Sequence, residues 1–182
     1  MTSDTRSLPD GPVVLVGPPG SGKTTVGRLL ADRLGVGFRD TDHDVEEQAG
    51  KAVADVFLED GEEHFRELER GAIQAALAGH GGVLALGGGA IQDPDTRSDL
   101  VPVHVVFLDV GLTDAVKRIG MAHERPLLVG NPRTILRKQL EARRPLYTEV
   151  ATVTVNTDGR EPDDIAGEAV EMLQPLDSES AS

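Results

Sequence analysis

Residues 17–24, GPPGSGKT, follow a short β-branched run, PVVLVG, and precede TTVGRLLADRLG, whose Val26, Leu29, Leu30 and Leu34 fall at helical spacing. The match to G-x-x-x-x-G-K-[ST] between a strand and a helix constrains the fold more than any other feature of the chain. Glycines let the backbone wrap so closely that successive N–H groups converge on phosphate oxygens. The start of the following helix adds its dipole, and Gly35 closes that helix as a C-cap. The stretch therefore reads as a nucleoside-triphosphate site formed by Gly20, Ser21, Gly22, Lys23, Thr24 and Thr25. Lys23 is placed to bridge the terminal phosphates, and the Thr24 hydroxyl to ligate one Mg²⁺ ion. A purely structural glycine-rich turn is the competing reading, and the strand-to-helix context disfavours it.

The rest of the chain alternates in the same manner. VGFRD, GVLALGGGA, PVHVVFLDV and ATVTVNT read as four more strands, the last alternating as an edge strand does. Residues 42–78 read as mostly helical, as do TDAVKRIG, PRTILRKQLEARRPLY and EPDDIAGEAVEMLQ. Five strands with helical crossovers predict an α/β fold with a parallel sheet. The 182 residues suit one domain, expected at 12–174, with disordered tails at 1–11 and 175–182. MAHERPLLVGN reads as a polar loop, with a mobile lid at about 120–131. No apolar stretch approaches the roughly 20 residues of a membrane helix. The absence of cysteine excludes thiolate catalysis and fits a reducing, cytoplasmic location.

The net charge of −13 argues against nucleic acid as a partner. Residues 117–144, however, hold eight basic residues against two acidic ones, which points to a small anionic ligand. No N-K-x-D segment reads guanine, and a mechanochemical ATPase would need a larger chain. A kinase for a small acceptor is the reading that remains. RDTDHDVEEQ adds five acids in eight positions, Asp40, Asp42, Asp44, Glu46 and Glu47. A calcium loop fails, because its sixth and twelfth positions hold Val45 and Lys51 in place of glycine and glutamate. Asp40 is expected at the metal, through water, and Asp42 at the acceptor hydroxyl. Asp44, Glu46 and Glu47 are expected to favour a helix start and face solvent.

The ordered set GPPGSGKTT, DTD, FRELE, LGGGA, RPLL and RRPLY resembles the shikimate kinase family over nearly the whole chain. The resemblance implies a three-layer α/β/α fold with strand order 2-3-1-4-5, and MgATP-dependent phosphorylation of the shikimate 3-hydroxyl. It implies shikimate and ATP as the partners, no membrane, and a monomer. Arg66 and Arg143 match the family's carboxylate-binding arginines, a task that suits a planar cationic fork. In R-x-P-L-Y the variable position falls on Arg144. Glu69 is placed to orient Arg66, and Gly87, Gly88 and Gly89 match a backbone that contacts shikimate. Phe57 and Phe65 match apolar positions at its border. Arg125 matches a lid arginine that, with Lys23 and Asp42, acts in catalysis. Arg118 matches a position that stacks on adenine, with Pro162 on the other side and Arg160, in the same GREP stretch, also on the nucleotide. Aromatic content is only 3%, so base recognition would rest on arginine stacking and backbone contacts. A gluconate-type kinase, a nucleoside-monophosphate kinase and a non-catalytic nucleotide-binding module are the alternatives.

Overall fold

The computed structural model describes residues 11–121 and 131–179. Five parallel strands form one sheet: β1 (Val13–Val16), β2 (Phe38–Asp40), β3 (Val83–Ala85), β4 (His104–Asp109) and β5 (Val153–Asn156). Their order is β2-β3-β1-β4-β5, as the family resemblance implied. β1 lies between β3 and β4, so the crevice beyond its carboxyl end is where an open α/β sheet binds ligands.

Strand side chains alternate between faces, and each face has its own core. Val13 and Leu15 join Val106, Leu108, Val153 and Val155 on one face, against Leu30 of α1 (Lys23–Leu34) and Ile165 of α8 (Pro162–Glu179). Val14 and Val16 join Leu84, Val105 and Phe107 on the other. They pack against Ile73 of α4 (Glu62–Gly79) and Tyr147 of α7 (Pro132–Val150). Three layers follow directly from two buried faces. β5 is buried only at Val153 and Val155 while Thr154 and Asn156 are exposed, which fits its edge position.

The expected helical stretch 42–78 is divided into three pieces. α2 (Thr41–Ala49) ends on Gly50, α3 (Val53–Asp60) ends on Gly61, and α4 follows. Val45, Val56, Phe65 and Ala72 tie the three together in a small core beside the sheet. Asp40 both ends β2 and caps α2, its carboxylate accepting from the Asp42 N–H at 2.9 Å. Asp44 departs from the solvent-facing role expected of it: it accepts from Arg39 at 2.7 Å and is only 18% exposed.

Two further differences concern the ends of elements. A 3₁₀ turn at Ala90–Gln92 and a short α5 (Pro94–Asp99) fill a stretch for which the sequence suggested no element. Asp93 caps α5 by accepting from Asp95 N–H, and Pro94 occupies its first turn. α8 continues to Glu179, so residues 175–179 are helical where a disordered tail was expected. The remaining helix, α6 (Leu112–Met121), packs on α7 through Ala115, Leu136 and Leu140. No described helix is long and apolar enough to cross a membrane.

Candidate active site

Two cavities open at the carboxyl end of the sheet. The larger, about 460 Å³, lies over the loop between β1 and α1. Gly20 and Gly22 hold φ of +81° and +88°, a region that side chains disfavour. A Cβ at Gly20 would also stand 2.9 Å from the Ala115 carbonyl oxygen. The Lys23 ammonium donates to the Gly17 and Pro18 carbonyls at 2.7 and 3.1 Å, inside the curl of the loop. Ser21 turns inward: its N–H closes a turn on Pro18, and its buried hydroxyl has no partner among the described residues. The Thr24 hydroxyl donates to Asp40 at 3.2 Å, while the other carboxylate oxygen of Asp40 holds the Asp42 N–H. These are hard oxygen donors, the type Mg²⁺ prefers. No cluster of three acidic or histidine residues stands ready for a metal among the described residues. That donor set fits an ion that keeps several waters and takes phosphate oxygens for the rest.

Arg118, Arg160 and Pro162 line the far wall of this cavity. Arg118 is held by the carbonyls of Gly20 and Thr157, at 3.1 and 2.6 Å, and by the Thr157 hydroxyl at 3.0 Å. Arg160 is held by Glu168 and by the Asn156 carbonyl. Their guanidinium planes are thus fixed by protein partners, which leaves their faces for a flat ligand.

The second cavity, about 240 Å³, lies between the α2–α4 cluster and α7. Arg66 and Glu69, one turn apart on α4, form an ion pair at 2.7 Å. Glu69 is only 4% exposed. Burial pushes its carboxyl above the ordinary carboxylate range, and Arg66 pulls it partly back. The glycine run explains itself by crowding. A Cβ at Gly87 would fall 2.7 Å from Asp42 Oδ1 and 3.0 Å from Glu69 Oε2, and one at Gly89 2.5 Å from Arg66 Nη2. Arg143 of α7 lines the cavity together with Arg66, whereas its neighbour Arg144 pairs with the Asp109 carboxylate at 3.2 Å. Phe57, Phe65 and Leu136 supply the apolar wall. Pro19, Asp42, Gly88 and Ile119 line both cavities, so the two adjoin, and Asp42 is the one ionisable residue among these on their shared border.

This arrangement sets a cavity over the glycine-rich loop beside a smaller one with two arginines, with one aspartate lining both. The family model for shikimate kinase matches residues 19–174. The chain belongs to the shikimate kinase family. A shikimate kinase of Frankia casuarinae is 59% identical over 90% of this chain and 73% of its own length. The structure of Acinetobacter baumannii shikimate kinase in complex with shikimate superposes with a TM-score of 0.88 at 37% identity, covering 92% of this chain and 95% of that one. A gluconokinase of Sinorhizobium meliloti, at 22% identity and a TM-score of 0.61 over 92% and 93% of the two chains, shares the fold alone.

Within this shikimate kinase frame, the residues expected from sequence fall on two sides of Asp42. The loop residues 20–25, Arg118, Arg160 and Pro162 line the larger cavity, with Asp40 beside Thr24. Arg66, Gly87, Gly88, Gly89 and Arg143 line the smaller one. Arg125 and nearly all of the expected lid lie outside the described residues. Pro19, Ile119, Leu136 and Gln139 also line the cavities and were not anticipated. A signal for two of them existed: Leu136, Gln139 and Arg143 recur at helical spacing along one face of α7.

Proposed function

We propose that the chain transfers the γ-phosphoryl group of ATP to the 3-hydroxyl of shikimate, with Asp42 as the residue that receives the acceptor. The observation that carries this reading is the meeting of the two cavities at Asp42. ATP in the larger cavity would present its terminal phosphate over Lys23, and shikimate in the smaller would present a hydroxyl to the Asp42 carboxylate. The shikimate oxygen forms a bond to the γ-phosphorus as the bond to the β–γ bridging oxygen breaks. ADP leaves with that bridging oxygen, and the hydroxyl proton passes to Asp42.

An aspartate is a weak base at neutral pH, but in a loose phosphoryl-transfer transition state the proton leaves late. Orienting the hydroxyl is then the larger part of the work. Arg66 and Arg143 both line the small cavity and would bind the ring carboxylate. The Glu69 carboxylate holds Arg66 in that pose. Lys23, once drawn from its loop carbonyls by a nucleotide, would offset charge on the transferring group. Mg²⁺ bound at Thr24, with Asp40 reaching it through water, would neutralise phosphate charge. Arg125 is proposed as the lid arginine that covers the phosphates.

Purified protein is mixed with MgATP, and ADP release is followed with shikimate, gluconate or a nucleoside monophosphate as acceptor. Shikimate alone should raise the rate far above background. Release that ignores shikimate, or that responds better to another acceptor, would overturn the reading. A gluconate-type kinase has no evident use for two arginines beside a glycine run in one cavity, which is why shikimate is preferred.

A further inference from the structure

Tyr147 lines neither cavity, yet it touches groups that line both. It is buried on α7, and its ring stacks on Phe107 with centroids 5.1 Å apart. Its hydroxyl donates to the Gly88 carbonyl. The Arg143 guanidinium, one turn earlier on the same helix, lies beside that hydroxyl. We propose that Tyr147 is a positioning residue for the acceptor site, turning the Gly89 N–H toward the acceptor and setting the guanidinium of Arg143. The inference deepens the shikimate reading above and rests on it.

In a planar trans peptide the C=O and N–H of one unit point in opposite directions, and no described peptide is cis. The Gly88 carbonyl points inward, to a buried hydroxyl. The Gly89 N–H belongs to the same peptide unit and so points outward, where Gly89 lines the acceptor cavity beside Arg66. A run of three glycines has little conformational preference of its own, so a carbonyl tether decides which way each peptide faces.

All three carbonyls of the run are tethered. Gly87 accepts from the Ala90 N–H at 3.1 Å, and Gly89 from the Gln92 N–H and side-chain amide, each at 3.2 Å. Those partners are local and follow from the 3₁₀ turn. The partner of Gly88 comes from 59 residues away, and it couples the loop to the helix that carries Arg143. Burial pushes the Tyr147 hydroxyl up to about 12, so it keeps its proton wherever a kinase is assayed. The tether does not depend on pH.

Tyr147→Phe removes the hydroxyl and keeps the ring. Steady-state rates with MgATP and shikimate should show the shikimate KM raised about tenfold, with the ATP KM changed less than about twofold. Phe107→Leu loosens the same ring stack and leaves the hydroxyl in place. It should lower the melting temperature without moving the shikimate KM. An unchanged shikimate KM in Tyr147→Phe, or an equal rise in Phe107→Leu, overturns the positioning role. Should Tyr147→Phe not fold, the wild type still answers: shikimate must shift the Gly89 amide resonance, and an unmoved one overturns the proposal. A wild type without shikimate-dependent ADP release would sink the functional reading itself. A working wild type with an indifferent Tyr147→Phe sinks only the role of Tyr147.

Discussion

The two cavities that meet at Asp42 are built by different means. The larger cavity takes about half of its lining from one contiguous segment, residues 19–26, where backbone groups and a single helix start are proposed to hold the nucleotide. The geometry of that segment is local, set by the positive φ of Gly20 and Gly22 and by the turn that Ser21 closes on Pro18. The smaller cavity draws on α2, α4, the glycine run and α7, so that Arg66 and Arg143 line one space although 77 positions separate them in the chain. Its parts are held by further protein groups, Arg66 by Glu69 one turn along α4 and the glycine run by Tyr147 of α7. A phosphate can be cradled by any chain that curls its amides inward. A carboxylate-bearing ring needs side chains fixed beforehand, because an unheld arginine loses much of its binding energy to ordering.

The division is tested hardest at Asp42, which belongs to both sides. Asp42→Asn keeps the size of the side chain and removes the proton acceptor. Turnover should fall by on the order of 10²- to 10⁴-fold, while ADP affinity measured by calorimetry stays near the wild-type value. Lys23→Ala should instead weaken nucleotide binding itself. Equal loss of nucleotide affinity in the two variants would erase the boundary between the cavities.

Arg143 and Arg144 give a second test, one residue apart. Arg143 faces the acceptor cavity, while Arg144 reaches the Asp109 carboxylate and the Val110 carbonyl. Arg143→Ala should raise the shikimate KM by roughly 10- to 100-fold, the worth of charge-assisted hydrogen bonds to a carboxylate. Arg144→Ala loses a half-exposed ion pair worth at most about 1 kcal/mol and should leave the shikimate KM alone. Similar KM values for the two variants would show that the acceptor site is not built on this face of α7.

The same contrast explains what the sequence made legible. The phosphate loop and its strand and helix could be read directly, because their chemistry is carried by neighbours in the chain. The glycine run could be noticed, but its reason could not. Only folding brings Asp42, Glu69 and Arg66 against Gly87 and Gly89. Glu69 was legible through its spacing from Arg66, since three residues on a helix make neighbours. Its near-complete burial was not, because the wall above it comes from distant elements. Tyr147 went unassigned for a related reason. A tyrosine at the end of an amphipathic helix looks like core, and its hydroxyl partner lies 59 residues back. α5 was missed because six residues show too little periodicity, although Asp93 followed by Pro94 is a capping signal.

Glu69 supplies the finest test, because its burial sets it apart from an exposed acid such as Glu47 of α2. Burial raises its folded-state pKa above the ordinary 4.5, against the opposing pull of Arg66. Folding then takes up a proton in the window between the unfolded and folded values. The contribution is therefore full below the unfolded value and is lost as pH rises through the folded one. Glu69→Gln is neutral throughout and lacks this dependence. Melting temperatures measured across that window should show the wild type losing ground to Glu69→Gln as pH climbs. The wild type gaining ground instead would mean that the ion pair with Arg66 outweighs desolvation. The charge attraction of Arg66 would then exceed the cost of burying Glu69, and the reading that desolvation sets the protonation of this buried carboxyl would fail.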